Sequence, residues 1–208
     1  MITIIDYGLG NLGSVQKAIT RIGFDSVITN DKTLIKKADA LILPGVGNFK
    51  LGIGKLRSLE LIETLNEVVV GNQTPILGIC LGMQLMTSHS EEGDCEGLNW
   101  IEGQTKRFIN NERLKVPHMG WNNLAINPDS HIFDNLTSED FFYFVHSYYV
   151  TDVSPDSILS HTHYGINFVS TIIKNNIFGC QYHPEKSHDA GLKLLNNFCN
   201  LTSRKVND

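Results

Sequence analysis

The sequence has few prolines, few cysteines and no long hydrophobic run, and positive charge is not in excess. Its 208 residues include 6 prolines and 4 cysteines, which is too little for a collagen-like chain or a disulfide scaffold. No apolar run approaches the ~18 residues that a membrane-spanning helix needs. With 17 Lys+Arg against 22 Asp+Glu, the formal net charge is −5. A nucleic-acid binder, whose affinity depends on many Lys and Arg contacts to phosphate, is therefore not expected.

The start of the chain and the scatter of its cysteines predict a cytoplasmic protein. Met1–Ile5 leads directly to Asp6 and lacks the basic and apolar regions of an export signal. The four cysteines follow no close spacing, which is typical of proteins in a reducing compartment. The expected partner is a small molecule or another protein, and neither nucleic acid nor a membrane.

Apolar runs and amphipathic segments alternate along the first half of the chain, and strands dominate from about residue 99. The predicted strands are Ile2–Ile5, Ser26–Thr29, Ala40–Leu43, Pro75–Ile79, Ile109–Val116, Phe141–Val150, Ile158–His163, Phe168–Ile173 and Ile177–Tyr182. The predicted helices are Leu12–Ile22, Leu51–Val70, Leu81–Ser88 and Ala190–Leu201. Alternating strands and helices build a mostly parallel sheet covered by helices. The prediction is one α/β domain, residues 1–208, with a strand-rich second half.

A glycine-rich turn follows the first predicted strand. Gly8-Leu-Gly10-Asn-Leu-Gly13, with Asp31 about 20 residues further on, formally matches a dinucleotide-binding fingerprint. The alternative is that the glycines and Asn11 only shape a tight turn between strand and helix. Because the pattern is short and permissive, we favour the turn, and a nucleotide-binding module remains the alternative function of another class.

A second glycine motif, Gly78-Ile-Cys80-Leu-Gly82, lies between an apolar strand and a helix. It is a cysteine version of the nucleophile elbow, in which flanking glycines permit a strained turn that exposes the nucleophile. A sulfur at a helix N-terminus is favoured as thiolate, and Leu81 N–H is a natural donor to an oxyanion. The alternative is a structural cysteine, which is a small buried hydrophobe.

A thiolate nucleophile needs a base, and His183 is the strongest candidate among the histidines. It ends an apolar run and is followed by Pro184 and Glu185, whose carboxylate could orient the imidazole. A zinc site built on Cys180 and His183 with His188 and Cys199 is disfavoured because a second close ligand pair is missing. His161 and His163 alternate on a strand, so they more simply form a polar face. No metal and no cofactor are expected.

At these residues the sequence resembles the class I, or triad, glutamine amidotransferases, and within them the HisH family, the glutaminase subunits of imidazole glycerol phosphate synthase. The resemblance rests on six segments: Asp6–Asn11, Leu43–Gly47, Gly78–Gln84, Pro117–Asn122, Tyr143–Tyr148 and Gln181–Lys186. It implies the flavodoxin-like fold of that class, with a central, mostly parallel sheet, flanking helices and an additional antiparallel part.

The resemblance also implies roles for individual residues. It makes Cys80 the nucleophile on glutamine, His183 the acid and base, and Glu185 its orienter. It places the oxyanion hole at Gly47 and Leu81. The residues that it implies for substrate binding are Gly45, Gln84, Glu92 and Ser147, with Glu91 as an alternative to its neighbour Glu92.

The ammonia acceptor is expected on another chain. The resemblance implies a heterodimer with a (βα)₈-barrel synthase subunit, which forms imidazole glycerol phosphate and an aminoimidazole carboxamide nucleotide in histidine biosynthesis. The residues that would face this partner are Asn11, Pro117, His118, Met119, Gly120, Trp121, Asn122 and Lys186. Asn99 stands where the family pattern leads us to expect glycine. A related glutaminase that serves a sugar amidotransferase in surface-polysaccharide synthesis is therefore the alternative.

Overall fold

The structure is a computed structural model that describes residues 1–109 and 114–204. Its helices are α1 (Leu12–Arg21), α2 (Lys32–Lys36), α3 (Phe49–Ser58), α4 (Leu61–Leu65), α5 (Leu81–Leu85) and α6 (His188–Arg204). A π-helical turn spans Asn66–Gly71, and 3-10 turns span His131–Phe133, Pro155–Ser157 and Pro184–Lys186. No helix of this described part is both long and apolar enough to cross a membrane.

The strands are β1 (Ile2–Ile5), β2 (Ser26–Thr29), β3 (Ala40–Gly45), β4 (Ile76–Cys80), β5 (His89–Ser90), β6 (Cys95–Glu96), β7 (Gln104–Arg107), β8 (His118–Asn123), β9 (Ala125–Ile126), β10 (Phe141–His146), β11 (Tyr148–Thr151), β12 (Ile158–Tyr164), β13 (Ile166–Lys174) and β14 (Ile177–Cys180). Among the described residues, twelve of these form one sheet, in the order β2-β1-β3-β4-β14-β13-β11-β7-β5-β6, with β12 on β13 and β9 on β12. β8 and β10 form a separate two-stranded sheet.

The parallel half of the large sheet is built from strands that are apolar on both faces. β2, β1, β3, β4 and β14 pair in parallel, and every residue of β1, β3 and β4 is buried. Alternate residues of β3 enter different clusters: Ala40 and Ile42 pack on the side of α1 and α6, and Leu41 and Leu43 on the side of α3 and α4. This period of two buries both faces of the sheet, which requires helices on each. The predicted class of fold is confirmed.

The long helix predicted over Leu51–Val70 is interrupted. α3 ends at Ser58, Glu60 adopts a left-handed conformation with φ of 52°, and α4 begins at Leu61. Leu56 and Leu61 are both fully buried on the same side of the sheet. The apolar spacing therefore continues across the break, and the sequence pattern gives no sign of it.

Two other predicted elements differ from the structure, and a third lies partly outside the described residues. The single strand predicted over Phe141–Val150 is two strands that separate at Ser147, because β10 pairs with β8 whereas β11 pairs with β7 and β13. The helix predicted to reach Ser88 ends at Leu85, where the Thr87 hydroxyl donates to the Gln84 carbonyl at 2.8 Å. Of the predicted strand Ile109–Val116, residues 110–113 lie outside the described residues, and the preceding strand ends at Arg107.

Candidate active site

Cys80 occupies a strained turn between β4 and α5. Its φ of 53° and ψ of −106° lie outside the usual regions for a non-glycine residue. The glycines on either side permit this turn: a Cβ on Gly82 would collide with the Leu43 carbonyl, and one on Gly78 would come within 2.7 Å of the α5 backbone. The nucleophile elbow predicted from Gly78–Gly82 is thus present as local geometry.

The thiol of Cys80 contacts groups from two other segments. Its sulfur accepts a hydrogen bond from Gln181 Nε2 at 3.5 Å and lies 4.0 Å from the Val145 carbonyl. The residue is 6% exposed, so one side of the thiol remains reachable. Gln181 was not singled out by the sequence analysis, although its place two residues before His183 in an extended segment puts both side chains on one face.

His183 and Glu185 form a buried hydrogen-bonded pair. The imidazole Nδ1 lies 2.8 Å from Glu185 Oε1, with the side chains 1% and 2% exposed. Burial by itself lowers the pKa of His183. Interaction with the Cys80 sulfur and with the Glu185 carboxylate outweighs this effect and raises the pKa to about 10. The imidazole therefore carries its proton at neutral pH, with Nδ1 committed to Glu185 and Nε2 free for Cys80.

The backbone of this pair is fixed to the small sheet. His183 N–H donates to the Tyr143 carbonyl at 2.9 Å, and the Ser187 hydroxyl donates to the His183 carbonyl at 2.6 Å. The same hydroxyl oxygen accepts from Tyr143 N–H at 3.0 Å. β10 therefore sets the position of the imidazole, and a base that is held in this way loses little entropy when it reacts.

A cavity of about 300 Å³ opens over Cys80. Its lining brings together side chains and backbone from β3 to β11: Val46, Gly47, Cys80, Leu81, Gln84, Glu92, Pro117, Val145, His146, Ser147 and Tyr148. Five of the residues predicted for the oxyanion hole or for substrate thus line the same space: Gly47, Leu81, Gln84, Glu92 and Ser147. Gly45 is not among these lining residues, and a Cβ on it would collide with the Tyr7 hydroxyl and the Leu81 side chain.

Glu92, and not its neighbour, reaches this cavity. It is among the lining residues, and its Oε2 accepts from Phe49 N–H at 2.6 Å at the N-terminus of α3. Glu91 is exposed and accepts from Arg107 N–H at 2.9 Å. Both residues lie in the turn between β5 and β6, where side chains follow no regular alternation, and the sequence therefore left the choice between the two open.

A chain of two histidines supports the far wall of the cavity. His146 Nδ1 lies 2.7 Å from the Tyr148 carbonyl, which can only accept, so this nitrogen carries the hydrogen. His146 Nε2 then accepts from His118 Nδ1 at 3.0 Å. Burial lowers the pKa of His118 to about 4 and that of His146 to about 3, so both rings are neutral at pH 7. The Tyr148 carbonyl also accepts from Gln84 Nε2 at 3.1 Å.

The surface predicted to face a partner is partly exposed and partly buried. Met119 and Trp121 are 62% and 46% exposed, and Trp121 stacks on His188 with ring centroids 4.9 Å apart. Lys186 lies 6.0 Å above the Tyr143 ring. His118 is only 3% exposed. The place of this segment in a partner interface stays a prediction, but the His118 side chain is not on the surface of the free chain, because neighbours on β8 alternate between the surface and the interior.

The other predicted members of that surface differ in position. Asn11 is exposed and caps α1 by accepting from Ser14 N–H at 3.3 Å. Asn122 is half-buried and donates to the His163 carbonyl at 2.9 Å. Pro117 lines the cavity, and Gly120 has a φ of 138°, which an L-residue rarely adopts. The segment 117–122 therefore runs from the cavity rim to the exposed face.

The acidic residue of the dinucleotide pattern has a local structural role. Asp31 is the N-cap of α2, and its Oδ1 accepts from Thr33 N–H at 2.7 Å and from Leu34 N–H at 3.3 Å. These backbone hydrogen bonds lower the pKa of its carboxyl. The sequence analysis missed this short helix. Within the described residues, no three His, Cys, Asp or Glu side chains come together as metal ligands.

Comparison with known proteins identifies a family that covers nearly the whole chain. The sequence model of glutamine amidotransferase class-I matches residues 3–201. Imidazole glycerol phosphate synthase subunit HisH 2 of Methanococcus maripaludis is 52% identical over 95% of this chain and 98% of that protein. Subunit HisH of Sulfurimonas denitrificans is 47% identical over 99% of this chain and 100% of that protein. Subunit HisH 2 of Pseudomonas aeruginosa is 42% identical over 97% of this chain and 100% of that protein.

Solved structures with distant sequences have the same fold. A putative GMP synthase protein from Thermoplasma acidophilum has a TM-score of 0.74 at 19% identity, covering 99% of this chain and 95% of that chain. The structure of PurLQS from Thermotoga maritima has a TM-score of 0.72 at 18% identity, covering 96% and 97%.

Proposed function

The chain belongs to the class I glutamine amidotransferase family and, within it, to the HisH subunits of imidazole glycerol phosphate synthase; from this premise we propose how its residues work. It is the glutaminase of histidine biosynthesis, which hydrolyses glutamine to glutamate and ammonia. The observation that carries the proposed mechanism is the Cys80 thiol at a strained elbow beside the buried His183–Glu185 pair. In this proposal residues 1–208 act as one domain.

The first half of the reaction forms a thioester. Cys80 Sγ attacks the side-chain amide carbon of glutamine, and the carbonyl oxygen becomes an oxyanion. Leu81 N–H and Gly47 N–H are the proposed donors to this oxyanion, which would act as fixed dipoles in a site with little water. His183 Nε2 then gives its proton to the amide nitrogen, the carbon–nitrogen bond breaks, and ammonia leaves.

The second half restores the enzyme. A water molecule gives a proton to His183 and attacks the thioester carbon, the carbon–sulfur bond breaks, and glutamate is released with Cys80 again a thiolate. Glu185 holds the imidazole and stabilises the imidazolium, as an orienting carboxylate does in other triads. The raised pKa of His183 supports this assignment, because a protonated imidazole is ready to act as the acid.

The glutamine substrate would be held by the remaining walls of the cavity. Glu92 has one carboxylate oxygen that is not used by Phe49 N–H, and it can pair with the α-ammonium of glutamine. Gln84 and the backbone at Ser147 and Tyr148 form the opposite wall. Free glutamine and no cofactor would suffice for this half-reaction.

We further propose that the exposed face at Met119, Trp121 and Phe141 binds the (βα)₈-barrel synthase in a heterodimer. Their exposure of 62%, 46% and 52% is unusual for large apolar side chains on one small sheet. This face adjoins the cavity through Pro117, so a synthase bound there could take up ammonia without loss to solvent. Lys186 and Asn11 would lie at its margin. A cytoplasmic location belongs to the same proposal.

The assay that tests this function compares Cys80→Ala with Cys95→Ala in the complex with the synthase. Cys95→Ala is the matched control, because Cys95 is also a free thiol but lies on β6. We expect Cys80→Ala to abolish glutamine-dependent turnover while free ammonium still supports the synthase reaction, and Cys95→Ala to retain both. Failure of ammonium to rescue an assembled complex would contradict the division of labour.

A second assay addresses the acceptor. Glutamate release is measured for the chain alone, with the imidazole-forming barrel, and with barrel and acceptor together. We expect slow hydrolysis by the isolated chain and acceleration in the full complex, because one additional oxyanion donor is worth about 10²–10³-fold. Activation by a sugar amidotransferase, but not by the barrel, would instead favour the polysaccharide alternative.

A further inference from the structure

The hydroxyl of Tyr7 is buried and has no hydrogen-bond partner among the described residues. Tyr7 is 0% exposed, and its oxygen is one of six buried side-chain polar atoms left unpaired there. Burial raises the pKa of this phenol, and the charge of the nearby Cys80 raises it further, so the group remains an O–H donor. Buried hydroxyls are nearly always paired, so an unpaired one beside a reaction site requires an explanation.

The position of this hydroxyl relates it to the oxyanion strand, by which we mean residues Pro44–Gly47. Tyr7 follows β1, Gly45 ends β3 and Cys80 ends β4, and these three strands are neighbours in the parallel sheet. A Cβ on Gly45 would collide with the Tyr7 oxygen. The hydroxyl therefore lies directly against the backbone of the oxyanion strand, and Tyr7 is not among the residues that line the cavity.

The glycine-rich turn that resembles a dinucleotide motif holds this tyrosine in place. Gly8 N–H donates to Asp6 Oδ1 at 3.1 Å, and Asn11 caps α1. Gly10, with a φ of 112°, packs so closely on the oxyanion strand that a Cβ there would be 3.3 Å from Gly45 N. The turn thus fits against Pro44 and Gly45 and fixes the distance between the Tyr7 ring and the strand.

A peptide group rotates as a rigid plane, which determines what a donor at this position can do. If a peptide between Gly45 and Gly47 turns its N–H toward the cavity, its carbonyl turns to the opposite side. A carbonyl turned inward loses water and needs a donor. The Tyr7 hydroxyl is a protonated donor next to Gly45, and in the present conformation it is unpaired within the described part of the chain.

We propose that Tyr7 is a positioning residue of the glutaminase reaction, whose hydroxyl donates to a carbonyl of the oxyanion strand when that strand turns an N–H toward the oxyanion. The inference rests on the proposed function. It assigns the Asp6–Asn11 turn to the support of the oxyanion strand, and it gives a role to a buried hydroxyl that has no partner within the described residues.

Tyr182 supplies a matched control within the same chain. It is equally buried, and its hydroxyl is 3.0 Å from Thr171 Oγ1. Tyr7→Phe removes a hydroxyl without a partner, whereas Tyr182→Phe removes a satisfied hydrogen bond. A hydroxyl that only supports the fold would behave like that of Tyr182 in both stability and catalysis.

The experiment measures kcat and KM for glutamine in the complex with the synthase and its acceptor, and the thermal midpoint of each free chain. For Tyr7→Phe we expect kcat to fall roughly 5- to 30-fold, the range that one or two hydrogen-bond energies represent. KM for glutamine should not rise, and the thermal midpoint should not fall. For Tyr182→Phe we expect a lower midpoint and unchanged kinetics.

Two results would overturn the inference. The first is wild-type kcat for Tyr7→Phe in an activated complex, and the second is a midpoint lowered as much as that of Tyr182→Phe with no separate loss of kcat. In both cases wild-type glutaminase activity shows that the proposed function still stands. Absence of glutamine hydrolysis by the wild-type complex would overturn the proposed function itself, and this inference with it.

Discussion

Replacing Glu185 by glutamine removes one negative charge and little else. Glutamine has the same length, and its amide oxygen can still accept from His183 Nδ1, where the carboxylate now lies at 2.8 Å. The imidazole would remain in position but would lose the counter-charge that helps to keep it protonated. The amide NH₂ would then occupy the buried site of Oε2, which has no partner among the described residues.

The size of the effect follows from the burial of the pair. A buried hydrogen bond to a charged group contributes about 1.5–3 kcal/mol. Since about 1.4 kcal/mol is a factor of ten in rate, kcat should fall roughly 10- to 150-fold. His183→Ala removes proton transfer itself, which is worth about 10²–10⁴-fold, and it leaves Glu185 buried without a partner. Glu185→Gln should therefore retain more activity than His183→Ala.

The loss of this negative charge should also change how stability and kcat depend on pH. The pKa of His183 is raised from 6.5 to about 10, so the charged pair stabilises the fold fully below pH 6.5 and this stabilisation is lost as pH rises through about 10. The decrease of kcat at alkaline pH should occur over the same pH range, and its apparent pKa belongs to the coupled groups Cys80, His183 and Glu185 together. Glu185→Gln lowers the pKa of His183 and should move that decrease to lower pH.

The assay is glutamate release across pH by the complex, with Glu102→Gln as control, because Glu102 is exposed and carries the same change of charge. Circular dichroism verifies that each variant is folded. The reasoning is refuted if Glu185→Gln is as inactive as His183→Ala in folded protein, or if its alkaline limb coincides with that of the wild type.

Two further predictions test the cavity wall and the elbow. His146→Leu removes both hydrogen bonds that link His118 to the Tyr148 carbonyl, so KM for glutamine should rise roughly 5- to 30-fold with a smaller change in kcat; a change in kcat alone would contradict this role. Gly82→Ala should lower stability in urea by about 1–3 kcal/mol or more through overpacking against the β3 backbone, whereas Gly54→Ala, an open helical position, should raise it by about 0.5–1 kcal/mol.

The chemistry at the elbow could be predicted from local sequence alone. A Cβ at position 78 or 82 would collide with neighbouring backbone, so the two glycines permit the turn at Cys80. The apolar strand before Cys80 determines where in the sequence the turn lies. The spacing of His183 and Glu185 likewise places a carboxylate within reach of the imidazole, and the structure has that hydrogen bond. Their catalytic roles remain predictions until the variants are measured.

The arrangement around the elbow required the tertiary structure. The division of Phe141–Val150 at Ser147 depends on which strands pair with each half, and the choice of Glu92 over Glu91 depends on where α3 begins. Gln181 reaches Cys80 because β14 and β4 are adjacent, although 101 positions separate the two residues.

Sequence by itself determined the alternation of strands and helices, the elbow and the histidine–carboxylate spacing, because these depend on backbone sterics and on periodicity within a few residues. Tertiary structure alone decided the burial of His118, the chain of hydrogen bonds to Tyr148 and the unpaired hydroxyl of Tyr7. Each of these depends on groups that are distant in the chain and come together only when the sheet assembles. A side chain's hydrogen-bond partners are set by that assembly, and no local pattern of residues encodes them.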